Sequence, residues 1–335
     1  MTKKVILAAL GHVRQDAAVS PALRPGWRDL PPPLRDRITH LLGARVIGSR
    51  HPGDSGVLPG AQFQVQTTKG NTFVKALGTE QPGPLSFLRQ EIALSPLLPE
   101  AAPHPELLWS IDEVLPNLGT WVAIGYSMRA KVRPIDLSWP EEDVAALIRV
   151  VRSIGEIEAP DDPMFLPEEK AFPTNSWEIL ADTRPAGLAN HSPWLMHRLE
   201  GLAEIASHAP DAIAGTSLQH GTLRVQNVLL PAAPGEKPLV ADWIRGSVGA
   251  PYLDLVSMLV HVRTSDGPPP EATLRRYGVP PGTEPDAVTC WIAVLAGHYV
   301  KSSMEPPPAG MPELRSYQHR LARTAVSWLQ TRLGF

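Results

Sequence analysis

Two short stretches bring together residue types suited to a phosphorylated ligand. One is His220-Gly221-Thr222-Leu223-Arg224-Val225-Gln226-Asn227; the other, downstream, is Val240-Ala241-Asp242-Trp243. Phosphoryl transfer from a nucleotide needs divalent metal to neutralise developing charge, and an Asn and an Asp from two adjacent turns can hold it. Asn227 and Asp242 each adjoin a short apolar run, around Val228–Leu230 and Leu239–Ala241, which suits that task. Upstream, Lys75 sits inside Thr72-Phe-Val-Lys-Ala-Leu77, an apolar strand pattern in which a lysine is costly unless paired. Glu91, on the next helical stretch, is its candidate partner, leaving the ammonium to meet phosphates.

Each residue has a plainer reading as well. Lys75 can be a solvated strand lysine, Asn227 a turn residue and Asp242 a cap. His220 reads more readily as a hydrogen-bonding brace of its loop than as a catalyst, and Asp254 as structural. Asp161, Asp162, Glu168 and Glu169 read as a solvated acidic segment. Other site patterns fail. The sequence contains no G-x-S-x-G, H-E-x-x-H or G-x-G-x-x-G, and Gly48-x4-Gly53-Asp54-Ser55 departs from a phosphate-binding loop by placing an acid where lysine belongs. Cys290 is the only cysteine, which excludes an internal disulfide and multi-cysteine metal sites.

The elements that must position these residues follow from periodicity. Ala61–Thr67 alternates Phe63, Val65 and Thr67 against three glutamines, the period-2 pattern of a half-buried strand. A turn at Lys69-Gly70-Asn71 leads to the Lys75 strand. Leu85–Leu98 reads as a helix with Phe87, Ile92 and Leu98 on its apolar side. Strands Glu106–Leu115 and Trp121–Met128 follow, making a small α+β lobe over 45–134. Residues 1–44 read as an N-terminal extension with one helical pattern, Leu34–Leu42. Residues 135–335 read as a mainly helical lobe. In it, a Ser138/Glu141 capping box starts a helix to Glu158, 160–190 is a Pro-rich lid-like insertion, and Ser192-Pro193 starts a helix to His208. Three helical stretches close the chain, the last over Pro312–Leu333. The loop-like segment 217–245 lies within this lobe.

With these residues in hand, the chain resembles the aminoglycoside phosphotransferase family, the small-molecule branch of the protein-kinase-like fold. The family signature is His-Gly-Asp, four residues, Asn, then a downstream Asp in an apolar strand end. It is met at His220, Gly221, Asn227, Asp242 and Trp243, and a bracing Gly-x-Pro-x-x-Asp-Leu segment at Gly249 through Leu255. The resemblance implies a two-lobed kinase-like fold over about 45–335, with ATP or GTP and Mg2+ as cofactors. It places Lys75 and Glu91 as the strand lysine and helix glutamate, Tyr126–Met128 where the hinge holds adenine, and Asn227 and Asp242 as metal ligands. It implies a glycine loop within Gly53–Gly60. It also implies that the 160–190 insertion helps bind substrate, where acids would suit a cationic one. Thr222 occupies the position of the family's catalytic Asp, beside His220, and a threonine hydroxyl is no base near neutral pH.

Three functions follow as expectations. The first is an ATP/Mg-dependent phosphotransferase acting on a hydroxyl of an antibiotic-like small molecule or a biosynthetic peptide, lacking its general base. The second is a pseudokinase that binds a ligand or protein partner without phosphoryl transfer. The third is the fold recruited to another step of natural-product biosynthesis. Lys and Arg total 31 against 34 Asp and Glu, a balance that argues against nucleic acid as partner. No apolar run approaches the ~20 residues of a membrane span. Val5–Leu10 is too short for a signal-peptide core, so the expected location is cytoplasmic.

Overall fold

The computed structural model describes residues 25–51, 60–79, 82–128, 131–309 and 311–335. The expected glycine loop, apart from Gly60, and the first 24 residues of the N-terminal stretch lie outside them. The chain begins with α1 (Pro32–Leu42), β1 (Val46–Arg50), β2 (Ala61–Thr67), β3 (Gly70–Gly78), α2 (Pro82–Leu94), β4 (Leu107–Leu115) and β5 (Gly119–Ser127). The strands form an antiparallel sheet in the order β1-β2-β3-β5-β4. The β2–β3 turn is tighter than expected, since Thr67 already pairs with Gly70.

Alternation sorts the side chains of this sheet between its two faces. Val74 and Ala76 of β3 and Ala123 of β5 pack with Leu34 and Ile38 of α1, so this helix seals one face. Leu77, Val122, Ile124 and Tyr126 take the other face with Leu85 and Leu88 of α2. Lys75 shares the parity of Leu77 and therefore points at α2. That helix is turned from the expected orientation: Phe87 is exposed, while Leu85, Leu88, Glu91 and Leu94 are buried. The buried face thus includes a carboxylate, which apolar periodicity alone does not select.

The rest of the chain is mainly helical. Its elements are β6 (Val132–Pro134), α3 (Glu141–Gly155), β7 (Leu166–Pro167), α4 (Glu168–Ala171), α5 (Ser176–Thr183), α6 (Leu199–Ser207), α7 (Ala209–Ala212), β8 (Ser217–Gln219), β9 (Val228–Pro231), β10 (Leu239–Val240), β11 (Ser247–Gly249), α8 (Leu253–Thr264), α9 (Pro270–Tyr277), α10 (Pro285–Ser303) and α11 (Leu314–Arg332). Two small sheets, β10-β9-β6 and β7-β11-β8, hold the loops between them. No helix of the described residues is long and apolar enough to cross a membrane.

Four expectations fail here. Ser138 does not cap α3, whose N-cap is Pro140; the Asp143 carboxylate in its first turn instead binds Arg133 and the Asp136 N–H. Ser192-Pro193 starts no helix, because the Ser192 hydroxyl accepts the Trp194 N–H in a local turn and α6 begins only at Leu199. The segment 160–190 is part of the core: Phe165, Phe172, Trp177, Leu180 and Leu188 are all buried, and the Trp177 indole donates to the Ala293 carbonyl at 2.6 Å. Among the described residues four helices, not three, follow β11, because Pro268-Pro269-Pro270 separates α8 from the short α9.

Gly155, at the end of α3, lies against the loop that leads into α8. A Cβ there would sit 2.2 Å from the Pro251 carbonyl oxygen, a backbone atom that cannot step aside. Gly155→Ala is therefore expected to cost about 1–3 kcal/mol, read as a lowered urea midpoint at unchanged m-value.

Candidate active site

The β3 and α2 faces meet at a buried ion cluster. Lys75 Nζ donates to Glu91 Oε1 at 2.6 Å and Oε2 at 2.8 Å, and also to Asp242 Oδ1 across the cleft between the sheet and the helical region. Glu91 is steadied on its other side by the Tyr126 hydroxyl at 2.9 Å, which in turn lies 3.1 Å from Ser95 Oγ. Tyr126, expected at the adenine hinge, thus has its side chain committed to the Lys75–Glu91 pair. Met128 follows β5 and is half-buried.

Between β8 and β9 the chain makes a loop fixed from below. Asp254 in the first turn of α8 accepts the His220 N–H at 2.5 Å and the Gly221 N–H at 3.2 Å. Gly221 adopts φ +73, and a Cβ there would meet the Arg245 carbonyl at 2.5 Å, so only glycine suits this position. The His220 ring Nε2 lies 2.9 Å from the Ala241 carbonyl, which can only accept, so Nε2 carries the proton. That leaves Nδ1 to accept from Thr222, whose backbone N and Oγ1 both lie 3.4 Å away. Burial lowers the imidazole to about 4, so His220 is neutral. His220 braces the two turns against each other, and Thr222 is held at the loop's crest.

Asn227 and Asp242 meet directly, Asn227 Nδ2 donating to Asp242 Oδ2 at 2.8 Å and to the Ala241 carbonyl at 3.1 Å. Asn227 Oδ1 is buried with no hydrogen-bond partner among the described residues. Asp242 is held at φ +68, a left-handed conformation uncommon outside glycine and tolerated best by Asn and Asp. An orphaned amide oxygen beside a carboxylate fits a hard divalent cation, which takes oxygen ligands and completes its shell from water and phosphate. Arg224 Nη2 lies 3.9 Å from Asp242 Oδ2, a cation beside the same carboxylate. The motif displayed this residue, two positions after Thr222, but gave it no role.

Charge follows this geometry. Burial works against the Asp242 anion, but Lys75 and Arg224 outweigh it and hold the carboxyl down at about 2. Burial likewise opposes the Lys75 ammonium, yet Asp242 and Glu91 raise it above its ordinary value, so it remains charged. Burial pushes Asp254 up to about 6, against the pull of its two backbone donors.

Beneath the loop, Glu168 is buried and accepts from the Ser247 hydroxyl. It therefore departs from the solvated acidic segment expected of 160–190, although Asp161 and Glu169 are exposed. Burial raises its carboxyl from 4.5 to about 7. The unfolded chain then releases this proton at lower pH than the folded one, so stability falls as pH rises from 4.5 through 7. Glu168→Gln is expected to add on the order of 2–3 kcal/mol above that window and little below it, as measured by thermal denaturation across the pH range.

The residues expected from sequence are thus brought together: Lys75, Glu91 and Tyr126 on one side, His220, Thr222, Asn227 and Asp242 on the other. No curated protein matches the sequence significantly. Among solved structures the chain is similar to choline kinase LicA from Streptococcus pneumoniae, with a TM-score of 0.55 and 15% identity over 89% of this chain and 98% of that one. It is similar also to a thermostable mutant of aminoglycoside phosphotransferase APH(4)-Ia, with a TM-score of 0.56 and 12% identity over 90% and 99%. The GDP and kanamycin complex of APH(2")-IIIa gives 0.56 and 13% over 90% and 98%. These likenesses establish the kinase-like fold, a β-sheet N-terminal region joined to a helical C-terminal one. The model of the phosphotransferase enzyme family matches residues 55–288, which is most of the sequence, and the chain belongs to that family.

Proposed function

We propose that this chain is a magnesium- and nucleotide-dependent phosphotransferase acting on a hydroxyl of a small molecule, and that it works without a side-chain general base. The observation that carries the reading is the pairing of Asn227 with Asp242 around an orphaned amide oxygen, opposite a lysine already locked to its glutamate. Its neighbours include LicA in complex with AMP and APH(2")-IIIa with GDP and kanamycin, which supports a nucleotide in the cleft and a small-molecule acceptor.

In this reading Glu91, held by Tyr126, fixes the Lys75 ammonium, and Lys75 orients the nucleotide phosphates. Asn227 Oδ1 and the Asp242 carboxylate would hold magnesium, which supplies charge neutralisation on the transferring group. Asp254 and His220 keep the loop rigid so that the acceptor hydroxyl meets the phosphoryl group in line. Thr222 hydrogen-bonds that hydroxyl without retaining its proton, which passes to water or to a phosphoryl oxygen. Phosphoryl transfer proceeds through a loose transition state and depends chiefly on positioning and electrostatics, so a missing base slows it without abolishing it.

Thr222 also favours a second reading, a pseudokinase whose cleft binds nucleotide without transfer. Calorimetric titration with ATP and with GTP, each with and without magnesium, tests what both readings share. Magnesium-dependent binding is expected, and no binding of either nucleotide would overturn them.

A further inference from the structure

Thr222 and His220 form a pair of their own. Among the described residues the Thr222 hydroxyl has one side-chain partner, His220 Nδ1 at 3.4 Å. Because Nε2 donates to the Ala241 carbonyl, Nδ1 carries the free lone pair and faces that hydroxyl. A hydroxyl beside a base whose ring is oriented by a third group is the arrangement that activates an oxygen nucleophile, and the contact is often looser before substrate binds. The loop holds this oxygen from both sides. The Gly221 N–H is bound by Asp254, and Leu223 is buried in the core of the helical region.

The Ala241 carbonyl ties this pair to Asn227 and Asp242. It accepts from His220 Nε2 at 2.9 Å and from Asn227 Nδ2 at 3.1 Å, and the same Nδ2 reaches Asp242 Oδ2 at 2.8 Å. Thr222 Oγ1 is therefore one imidazole ring away from the carbonyl that anchors the Asn227–Asp242 contact. Arg224, two residues after Thr222, adds a cation to this group. Its mostly buried guanidinium lies 3.9 Å from Asp242 Oδ2 and makes no hydrogen bond among the described residues. Free guanidinium donors at this place suit a phosphate.

We propose that Thr222 is itself a phosphorylation site, modified by the nucleotide bound in the same chain whenever no acceptor alcohol occupies the cleft. This assignment rests on the phosphotransferase reading above, in which an acceptor hydroxyl lies one hydrogen bond from Thr222. Without an acceptor, Thr222 Oγ1 is the hydroxyl that the site itself supplies. In that step a bond forms between Thr222 Oγ1 and the γ-phosphorus while the bond from that phosphorus to the β,γ-bridging oxygen breaks. ADP leaves with the electron pair. The hydroxyl proton passes to His220 Nδ1 as the new bond forms, and from there to an oxygen of the phosphothreonine. His220 thus holds the proton only during transfer, and Arg224 pairs with the phosphate that remains.

The test incubates the full chain with magnesium and ATP radiolabelled at the γ-phosphate, with no acceptor present. Label is expected to enter the protein up to one phosphoryl group per chain, at a rate per chain that does not change on dilution. Fragment mass spectrometry is expected to place it on Thr222. Thr222→Val, which keeps the shape of the side chain without its hydroxyl, is expected to take up none. Asp242→Asn is expected to lose labelling in proportion to its loss of ADP formation. His220→Gln, whose amide can still donate to the Ala241 carbonyl, is expected to label at least about 10²-fold more slowly, with ATP affinity within a few-fold of wild type. The proposal is overturned by no incorporation into a chain that binds magnesium and ATP, by label on another residue, or by equal label in Thr222→Val. An unchanged labelling rate in His220→Gln, or a rate per chain that rises with protein concentration, overturns it as well. Transfer to an added alcohol with no label on Thr222 in its absence strikes this proposal alone, whereas a chain that binds no nucleotide strikes the phosphotransferase reading with it.

Discussion

Asp242→Ala is expected to lower magnesium-dependent ADP formation by about 10³-fold and to remove the magnesium dependence of ATP binding. The size follows from the several kcal/mol that a bound metal contributes to stabilising charge on a transferring phosphoryl group, each 1.4 kcal/mol being about tenfold in rate. Asp242 is the charged member of the proposed metal pair, held ionised at about 2 by Lys75 and Arg224. The loss should not come from unfolding. Lys75 keeps both oxygens of Glu91, so its ammonium stays paired; alanine at φ +68 adds about 1 kcal/mol of backbone strain relative to aspartate, a cost that Asp242→Asn avoids. Asp242→Asn, which preserves volume and tolerates that backbone, should show the same kinetic loss with a melting temperature near that of wild type. An ADP-formation rate unaffected in both variants would place the chemistry elsewhere.

How far the sequence reached depends on what each signal reports. Alternation in Ala61–Thr67 and the apolar run around Lys75 assigned the two strands, because period 2 is a geometric property of the backbone, while the face on which Lys75 lies came only with the sheet itself. The pairing of Lys75 with Glu91 was legible for a related reason: a lysine among apolar neighbours requires a counter-ion, and Glu91 was the nearest acid on the next helix. The contact between Asn227 and Asp242 was legible only through the motif, since nothing local joins residues fifteen apart in sequence. Helix starts were misread at Ser138, where Pro140 takes the N-cap position, and at Ser192, whose hydroxyl serves a short turn instead. The segment 160–190 was misread because its core residues fall on short pieces, with Trp177 and Leu180 sharing one face of the eight-residue α5 while Phe165 and Phe172 lie outside any long element, so no sustained period marks them. Glu168 was read as part of a solvated acidic segment and is buried instead: burial of a charged side chain is set by tertiary packing, and polarity alone reads as exposure.

Thr222→Asp separates an enzyme that is slow for want of a base from a cleft that has given up transfer. The side chain is half-buried at the crest of a loop whose supports, Asp254 below and His220 beside it, do not depend on the hydroxyl. The new carboxylate adds negative charge near Asp242, but Arg224 and Lys75 face the same space and offset it. A positioned general base contributes about 10²–10⁴-fold, so Thr222→Asp should raise kcat by that order with an accepted alcohol while the nucleotide affinity stays within a few-fold. The gain should appear above the pKa of the introduced acid and fade below it, giving an acid limb that wild type lacks. This pattern would mean that the ion cluster at Lys75 and the pair at Asn227 and Asp242 still form a working phosphoryl-transfer site. Intact magnesium-dependent ATP binding without any gain from Thr222→Asp, across anionic, neutral and cationic acceptors, would instead establish that positioning of the acceptor, and not only its base, has been lost. The cleft would then act as a nucleotide-binding module, as the second reading holds.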